Sequence, residues 1–369
     1  MFTIDLRMYR SSGIGRYLRN LMPLVLPLVE AKHVRVVGSA SDLMVQDWSK
    51  DPRVEVYESS AGIYGLQEQA LALNGALRGT ELLWVPHYSV PMLYSGRLAV
   101  TIHDVCHLAL HESLDGNLKR MYARLLFSSV ARRAQAIFCV SEFTSSEVQR
   151  YLHVPASRIQ VTHPGLDAGW DAGVAQHRES DGAPYFLFVG NLKPNKNLGV
   201  LLKAFGQVIG QIPHRLIIVG KADNMKTVDG NVVHEAEKLS DRVQLTGEIS
   251  DQRLMEYYRG AEALVFPSLY EGFGLPLLEA MNLGCPVLCS NTSALPEVGG
   301  DAVMYFNPRD ADDLAAKLVE VARTPELRSR LVQRGLTRLT MFSYERCARQ
   351  TAEVLNGLFE QTNQHVVRN

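Results

Sequence analysis

Glu271 and Glu279 stand eight positions apart, with the segment Gly272-Phe273-Gly274-Leu275-Pro276 between them. An ionised carboxylate only accepts hydrogen bonds, so beside a ligand it suits hydroxyl donors. Gly272 and Gly274 allow a tight turn and close approach of the backbone to a ligand. Pro276 suits the first position of a helix and Gly284 its end. Upstream, Ala263-Leu264-Val265-Phe266 reads as a buried parallel strand. Strand, glycine loop and helix N-terminus, in that order, aim backbone N–H groups and the positive end of a helix dipole at one spot, which favours phosphate. A phosphate flanked by two hydroxyl-seeking carboxylates describes a nucleotide-sugar. A plain strand-to-helix connection with surface glutamates would satisfy the same pattern, because short glycine motifs often match by chance.

The elements needed to position this chemistry recur along the chain. Phe2-Thr3-Ile4-Asp5 is a short strand, followed by a loop with Gly13 and Gly15 and a helix from about Arg16 to Leu26. Leu18 stands where a dinucleotide fingerprint needs its third glycine, so an ordinary tight turn is the competing reading. Val34–Val37 and Val54–Val56 are further strands, with a helical stretch over Gly65 to Arg78. Leu98-Ala99-Val100-Thr101-Ile102 leads into His103-Asp104, placing both side chains at the carboxyl edge of a parallel sheet, where such folds build sites. A structural His–Asp hydrogen bond is the alternative. Residues 117–133 form a helix with Lys119, Arg120, Arg124, Arg132 and Arg133 among Met121, Leu125 and Phe127. Such a helix can rest on an anionic membrane, or can simply expose a solvated face.

Residues 168–183 break all periodicity and read as a linker between an N-terminal domain, 1–167, and a C-terminal domain, 184–342. Beyond it the strand Tyr185–Val189 precedes a loop carrying Lys193 and Lys196, two cations suited to a diphosphate or merely solvated. The expected fold class is α/β, two facing doubly wound domains with the ligand in the cleft between them. With 369 residues, 46% hydrophobic and 21% charged, the chain can bury two ordinary cores. A net charge of -1 gives no field for nucleic acid. Five cysteines without CxxC or Cys/His spacing read as reduced core residues, and no apolar run approaches a membrane span, so a cytoplasmic protein is expected.

The stretch P-S-x-x-E-G-F-G-L-P-x-x-E-A-M at 267–281 resembles the donor-sugar motif of the family 4 retaining glycosyltransferases of the GT-B fold. G-I-G-R-Y at 13–17, T-I-H-D-V at 101–105 and G-N-L-K-P-x-K-N at 190–197 follow the same family's order, across nearly the whole chain. The resemblance implies that Gly13 and Gly15, with Asp104, lie on the acceptor side and that His103 holds the transferred sugar. It implies that Lys196 binds the donor diphosphate and that Gly272, Phe273, Gly274 and Leu275 present backbone N–H groups. Glu271 would bind the sugar hydroxyls and Glu279 the ribose, with Gly247, Glu248 and Ile249 near the base. The C-terminal helix, about 343–369, would pack back on the first domain. Many relatives carry arginine five residues before the lysine. Here that position is Asn191, and Lys193 is the candidate to supply the missing charge. The branch implies a hexose donor, GDP-mannose favoured, a glycan or lipid-linked acceptor in bacterial surface polysaccharide synthesis, and retention of configuration. No DxD-type pair stands out, so neither metal nor cofactor is expected. A nucleotide-sugar epimerase or phosphorylase-like enzyme on the same fold, and a non-catalytic nucleotide-sugar-binding scaffold, remain open at this point.

Overall fold

The computed structural model describes the chain except residues 12, 64–65, 73–74, 111–116, 171–181, 221–233, 237 and 367–369. The chain divides into two compact units. One comprises Met1–Asp167 with Ser343–Asn369, the other Ala168–Phe342.

In the first unit the described strands are β1 (Phe2–Asp5), β2 (Val34–Gly38), β3 (Val54–Glu58), β4 (Leu82–Val85), β5 (Arg97–Ile102), β6 (Ala134–Cys139) and β7 (Ile159–Val161). They form one parallel sheet in the order β3-β2-β1-β4-β5-β6-β7. β1 and β4 are buried along their whole length, β4 as an unbroken apolar run and β1 with Thr3 and Asp5 buried among apolar neighbours. The order reverses between β1 and β4, so their carboxyl ends open a crevice where α/β sheets bind ligands.

The last helix, Tyr344–Val366, belongs to this unit and packs on the Gly13–Val25 helix. Phe359 meets Phe2 edge to face at 5.5 Å, and the Cys347 thiol donates to the Thr162 carbonyl. Asn356 ties the same helix to Leu28 O and Glu30 N. These contacts span most of the sequence, so the unit is stitched from both ends of the chain.

In the second unit the strands are β8 (Tyr185–Val189), β9 (Arg215–Val219), β10 (Val243–Gly247), β11 (Ala263–Phe266), β12 (Val287–Ser290) and β13 (Met304–Phe306). They pair in parallel in the order β10-β9-β8-β11-β12-β13, with Phe186, Phe188, Phe205, Ile218, Val265 and Leu314 in the core on one face. Here the order reverses between β8 and β11. The lysine loop follows one of these two neighbouring strands and the glycine loop follows the other.

Some boundaries differ from expectation. The first helix begins at Gly13, not Arg16, so both glycines lie in its opening turn. The stretch 65–78 yields only the Leu66–Gln69 helix and an Ala70–Ala72 turn, and its residues 65 and 73–74 lie outside the described residues. Of the expected linker, 171–181 also lies outside them. Ala168–Trp170 is a helical turn of the second unit, where Trp170 is buried against Tyr258 at 5.8 Å. Among the described residues no helix is long and apolar enough to cross a membrane.

Candidate active site

In the second unit, Lys196 and Glu271 come from loops on either side of the β8/β11 reversal and meet directly. Lys196 Nζ donates to Glu271 Oε1 at 2.5 Å. The ammonium also lies 5.2 Å from the centroid of Phe266, the last residue of β11, and the aromatic face favours a cation. Both charged groups are partly exposed, at 19% and 15% of their side-chain surface, so each is reachable by a ligand.

Asparagines lock the two loops to each other. The Leu269 N–H donates to Asn195 O at 2.8 Å, and the Asn195 amide donates back to Tyr270 O. Asn197 adopts the left-handed conformation, φ 56°, and its amide donates to Pro267 O and Pro308 O at 3.0 and 2.7 Å. Glu271 N donates to Ser293 Oγ at 3.1 Å, and Ser293 is itself left-handed at φ 55°. Such backbone occurs where its surroundings hold it in place, commonly at sites. Asn197 closes the G-N-L-K-P-x-K-N motif without a role assigned to it there, and no motif singles out Asn195 or Ser293. An asparagine pair in K-P-N-K-N, a residue type that tolerates the left-handed region, was the available signal.

The Leu275–Asn282 helix starts at Gly274, whose φ of 119° excludes a side chain, and a Cβ there would also meet Leu295. Gly272 needs no such conformation. Pro276 lies within the first two helical positions, and Gly284 turns the chain at φ 69°. In its opening turn Pro276 has no N–H and the Leu277 N–H donates to Gly274 O at 3.0 Å, so what the helix offers an anion in front of it is chiefly the positive end of its dipole. The Phe273 side chain is buried edge to face with Phe342, so only its backbone can serve a ligand. Glu279 lies deeper in the helix, 5% exposed, and accepts from the Tyr258 hydroxyl at 2.9 Å. Lys193 is exposed, and Asn191 O accepts from its N–H at 2.8 Å. Gly247 ends β10 at φ 71°, Glu248 is exposed and Ile249 is half-buried beside it.

In the first unit, His103 follows β5. Its Nε2 lies 3.0 Å from Pro86 O, and its ring meets Tyr17 edge to face at 4.8 Å. Burial lowers its pKa to about 4, against the Pro86 hydrogen bond and the Asp104 charge, so the ring is neutral at neutral pH. Its partner is a backbone carbonyl, not Asp104. Asp104 Oδ1 accepts from Cys106 N at 2.8 Å and caps a short turn. Gly15 is buried, and a Cβ there would stand 2.6 Å from the Tyr9 carbonyl oxygen. Gly13 is exposed with open space around it.

At the β1/β4 crevice lies a charged network that no local motif announces. Arg7 donates to both oxygens of Asp5, at 2.9 and 2.6 Å, and to Glu68 Oε1 at 2.8 Å, all three side chains being nearly inaccessible. Ser89 donates its hydroxyl to Glu68 and its N–H to His87 Nδ1, while His87 Nε2 stands 3.4 Å from Asp5. Burial pushes the Asp5 carboxyl up, but the Arg7 charge and its hydrogen bonds, with the His87 ring close by, win and hold it well below the usual carboxylate range.

Solved structures share this pair of sheets. Sucrose-phosphate synthase from Thermosynechococcus elongatus superposes with a TM-score of 0.76 at 20% identity, over 98% of this chain and 99% of that one. WaaG, a glycosyltransferase involved in lipopolysaccharide biosynthesis, does so at 0.74 and 16%, over 97% and 100%. The fold is GT-B, and the class is glycosyltransferase. The profile described as Glycosyl transferases group 1 matches residues 172–338, and that described as Glycosyltransferase Family 4 matches 76–170. O-antigen chain mannosyltransferase B of Escherichia coli is 29% identical over 93% of this chain and 95% of its own length. The chain belongs to the family 4 glycosyltransferases. It is an enzyme of that class, and the epimerase, phosphorylase and scaffold readings fall away.

Proposed function

We propose that this glycosyltransferase moves mannose from GDP-mannose to a glycan or lipid-linked acceptor in bacterial surface polysaccharide synthesis, with retention of configuration. The observation that carries the site assignment is the Lys196–Glu271 pair on the two loops flanking the β8/β11 reversal, beside a helix N-terminus. A relative matched over nearly its full length is an O-antigen chain mannosyltransferase, which favours mannose over other hexoses.

When the donor arrives, Lys196 exchanges Glu271 for the β-phosphate, and Glu271 turns to the sugar hydroxyls. As the glycosidic C–O bond lengthens, charge gathers on the leaving diphosphate. Lys196 and the helix N-terminus stabilise it there, a preorganised electrostatic role. Glu279 binds the ribose. His103, neutral, holds the sugar by hydrogen bonding and carries no proton off the acceptor. The acceptor hydroxyl attacks the face that the leaving group vacates and passes its proton to the departing phosphate oxygen on that same face, with Glu271 engaged by the sugar hydroxyls rather than bonding to the sugar carbon. No metal is required in this scheme.

Purified enzyme, chelator-treated, is given GDP-mannose, UDP-glucose, UDP-N-acetylglucosamine and UDP-galactose with lipid-linked acceptor, and product is read by mass and anomeric coupling. Transfer of α-linked mannose from GDP-mannose alone is expected. Transfer only from a UDP-sugar, or a β-linked product, sinks this reading.

The acceptor is reached at a membrane surface. The Asn117–Arg133 helix contains no acidic residue, and it exposes Leu118, Met121 and Leu125 at 77%, 56% and 49%, with Arg124 and Arg132 also exposed. An apolar stripe flanked by cations suits an anionic leaflet. Sedimentation with vesicles containing phosphatidylglycerol, lost on Leu118→Glu/Met121→Glu, tests this. Equal sedimentation of wild type and variant overturns it.

A further inference from the structure

Glu279 is nearly enclosed, so whatever reaches it does so through a narrow opening, and the direction its carboxylate faces decides what it can accept. One of its partners holds a defined oxygen of that carboxylate. Tyr258, near the end of the Asp251–Gly260 helix, is fully buried, and its hydroxyl donates to Glu279 Oε2 at 2.9 Å. The tyrosine ring is held in turn. Trp170 packs on it edge to face at 5.8 Å, and the Trp170 carbonyl accepts from Asn282, three residues beyond Glu279 on the same helix. Glutamate, tyrosine, tryptophan and asparagine thus close a ring of contacts that fixes the hydroxyl relative to the helix bearing the carboxylate.

The last torsion of a glutamate is broad, so an unheld carboxylate samples many planes. A vicinal diol has its two hydroxyls at a fixed separation and rewards one plane over the rest. We infer that Tyr258 is a positioning residue that pins one oxygen of Glu279, so that the carboxylate discriminates a ribose diol from a deoxyribose. This rests on the reading of Glu279 as the ribose-binding carboxylate. It adds that the selectivity is set from outside the helix, by a residue 21 positions earlier in the chain.

The test compares binding of GDP with 2′-deoxy-GDP, and UDP with 2′-deoxy-UDP, by calorimetry on the full chain. Wild type, Tyr258→Phe, Glu279→Gln and the double variant are measured, with thermal melts alongside. Phenylalanine keeps the ring against Trp170 and removes only the hydroxyl. Wild type should prefer the ribonucleotide for whichever base binds tighter. Tyr258→Phe should lower that preference roughly three- to tenfold, the scale of one net hydrogen bond. Glu279→Gln should abolish most of it, and the double variant should lose no more than Glu279→Gln alone. If Tyr258→Phe weakens both nucleotides equally, or only lowers the melting temperature, Tyr258 is a packing residue and the inference is wrong while the reading of Glu279 stands. If Glu279→Gln leaves the preference intact, the reading itself fails and the inference falls with it.

Discussion

The carboxyl edges of the two sheets solve the same problem with opposite chemistry. In the second unit the charges are partly exposed and meet across the strand reversal, where a ligand can take either partner away from the other. In the first unit the charges at the reversal are sealed. Asp5, Arg7 and Glu68 satisfy one another out of solvent, and the candidate group beside them, His103, is neutral. A buried ion pair is weak evidence for stability but costly to break on one side. The difference suggests a division of labour, in which one edge exchanges charge with its ligand and the other keeps a fixed shape.

The sharpest way to break this comparison is Lys196→Ala. It should lower kcat about 10²–10³-fold, the cost of losing one preorganised donor at a developing charge, with the melting temperature nearly unchanged. Steady-state kinetics and a melt check both halves of the expectation. In the first unit the balance should invert. Glu68→Gln, which leaves Arg7 with one carboxylate fewer in a buried place, should cost about 3 kcal/mol of stability, read by urea unfolding. Full stability with a collapsed kcat would show that the network is chemical after all. Asn197→Ala removes two loop-tying hydrogen bonds and a residue suited to φ 56°. It should cost roughly 1–2 kcal/mol and raise the donor KM, since the lysine loop is then less constrained.

Two smaller effects sharpen the contrast. Lys193 is solvent-exposed, so Lys193→Ala should raise the donor KM only about two- to fivefold, and less at high salt. An unchanged KM would remove it as the substitute for the arginine absent at 191. For His103 the folded-state pKa lies below the unfolded value near 6.5. The folded state therefore binds fewer protons. Its stability is unaffected above about pH 6.5 and erodes as pH falls from there towards about 4, the folded value. His103→Gln should flatten that slope in acid unfolding and leave the behaviour above neutrality alone.

Much of this was legible in the chain itself. The strand, glycine loop and proline-led helix at 263–284 announced their geometry locally, because each residue there answers to its immediate neighbours. So did the delivery of His103 to a strand end. What stayed hidden depends on partners far apart in sequence. Nothing around Arg7 points to Glu68, and nothing around Glu279 points to Tyr258, since hydrogen bonding across a fold leaves no periodicity behind. The helix expected over 65–78 shrank for a related reason. Its apolar spacing was helical, but Glu68 and Gln69 turn inward to serve Arg7, Ser89, Met92 and Val90, and tertiary hydrogen bonds decide the local path.

The return of the Tyr344–Val366 helix to the first unit sets the order in which the molecule can be made. The second unit is encoded without interruption, so it can fold as soon as it clears the ribosome. The first unit is missing Phe359, Cys347 and Asn356 until the segment beyond Phe342 is translated. The seven-stranded sheet is thus made before the helix that secures it, and the nascent chain carries it unfinished while the second unit is being translated. At about 5–20 residues per second that exposure lasts tens of seconds. A truncation before 344 should therefore leave a folded second unit attached to an N-terminal half that chaperones hold.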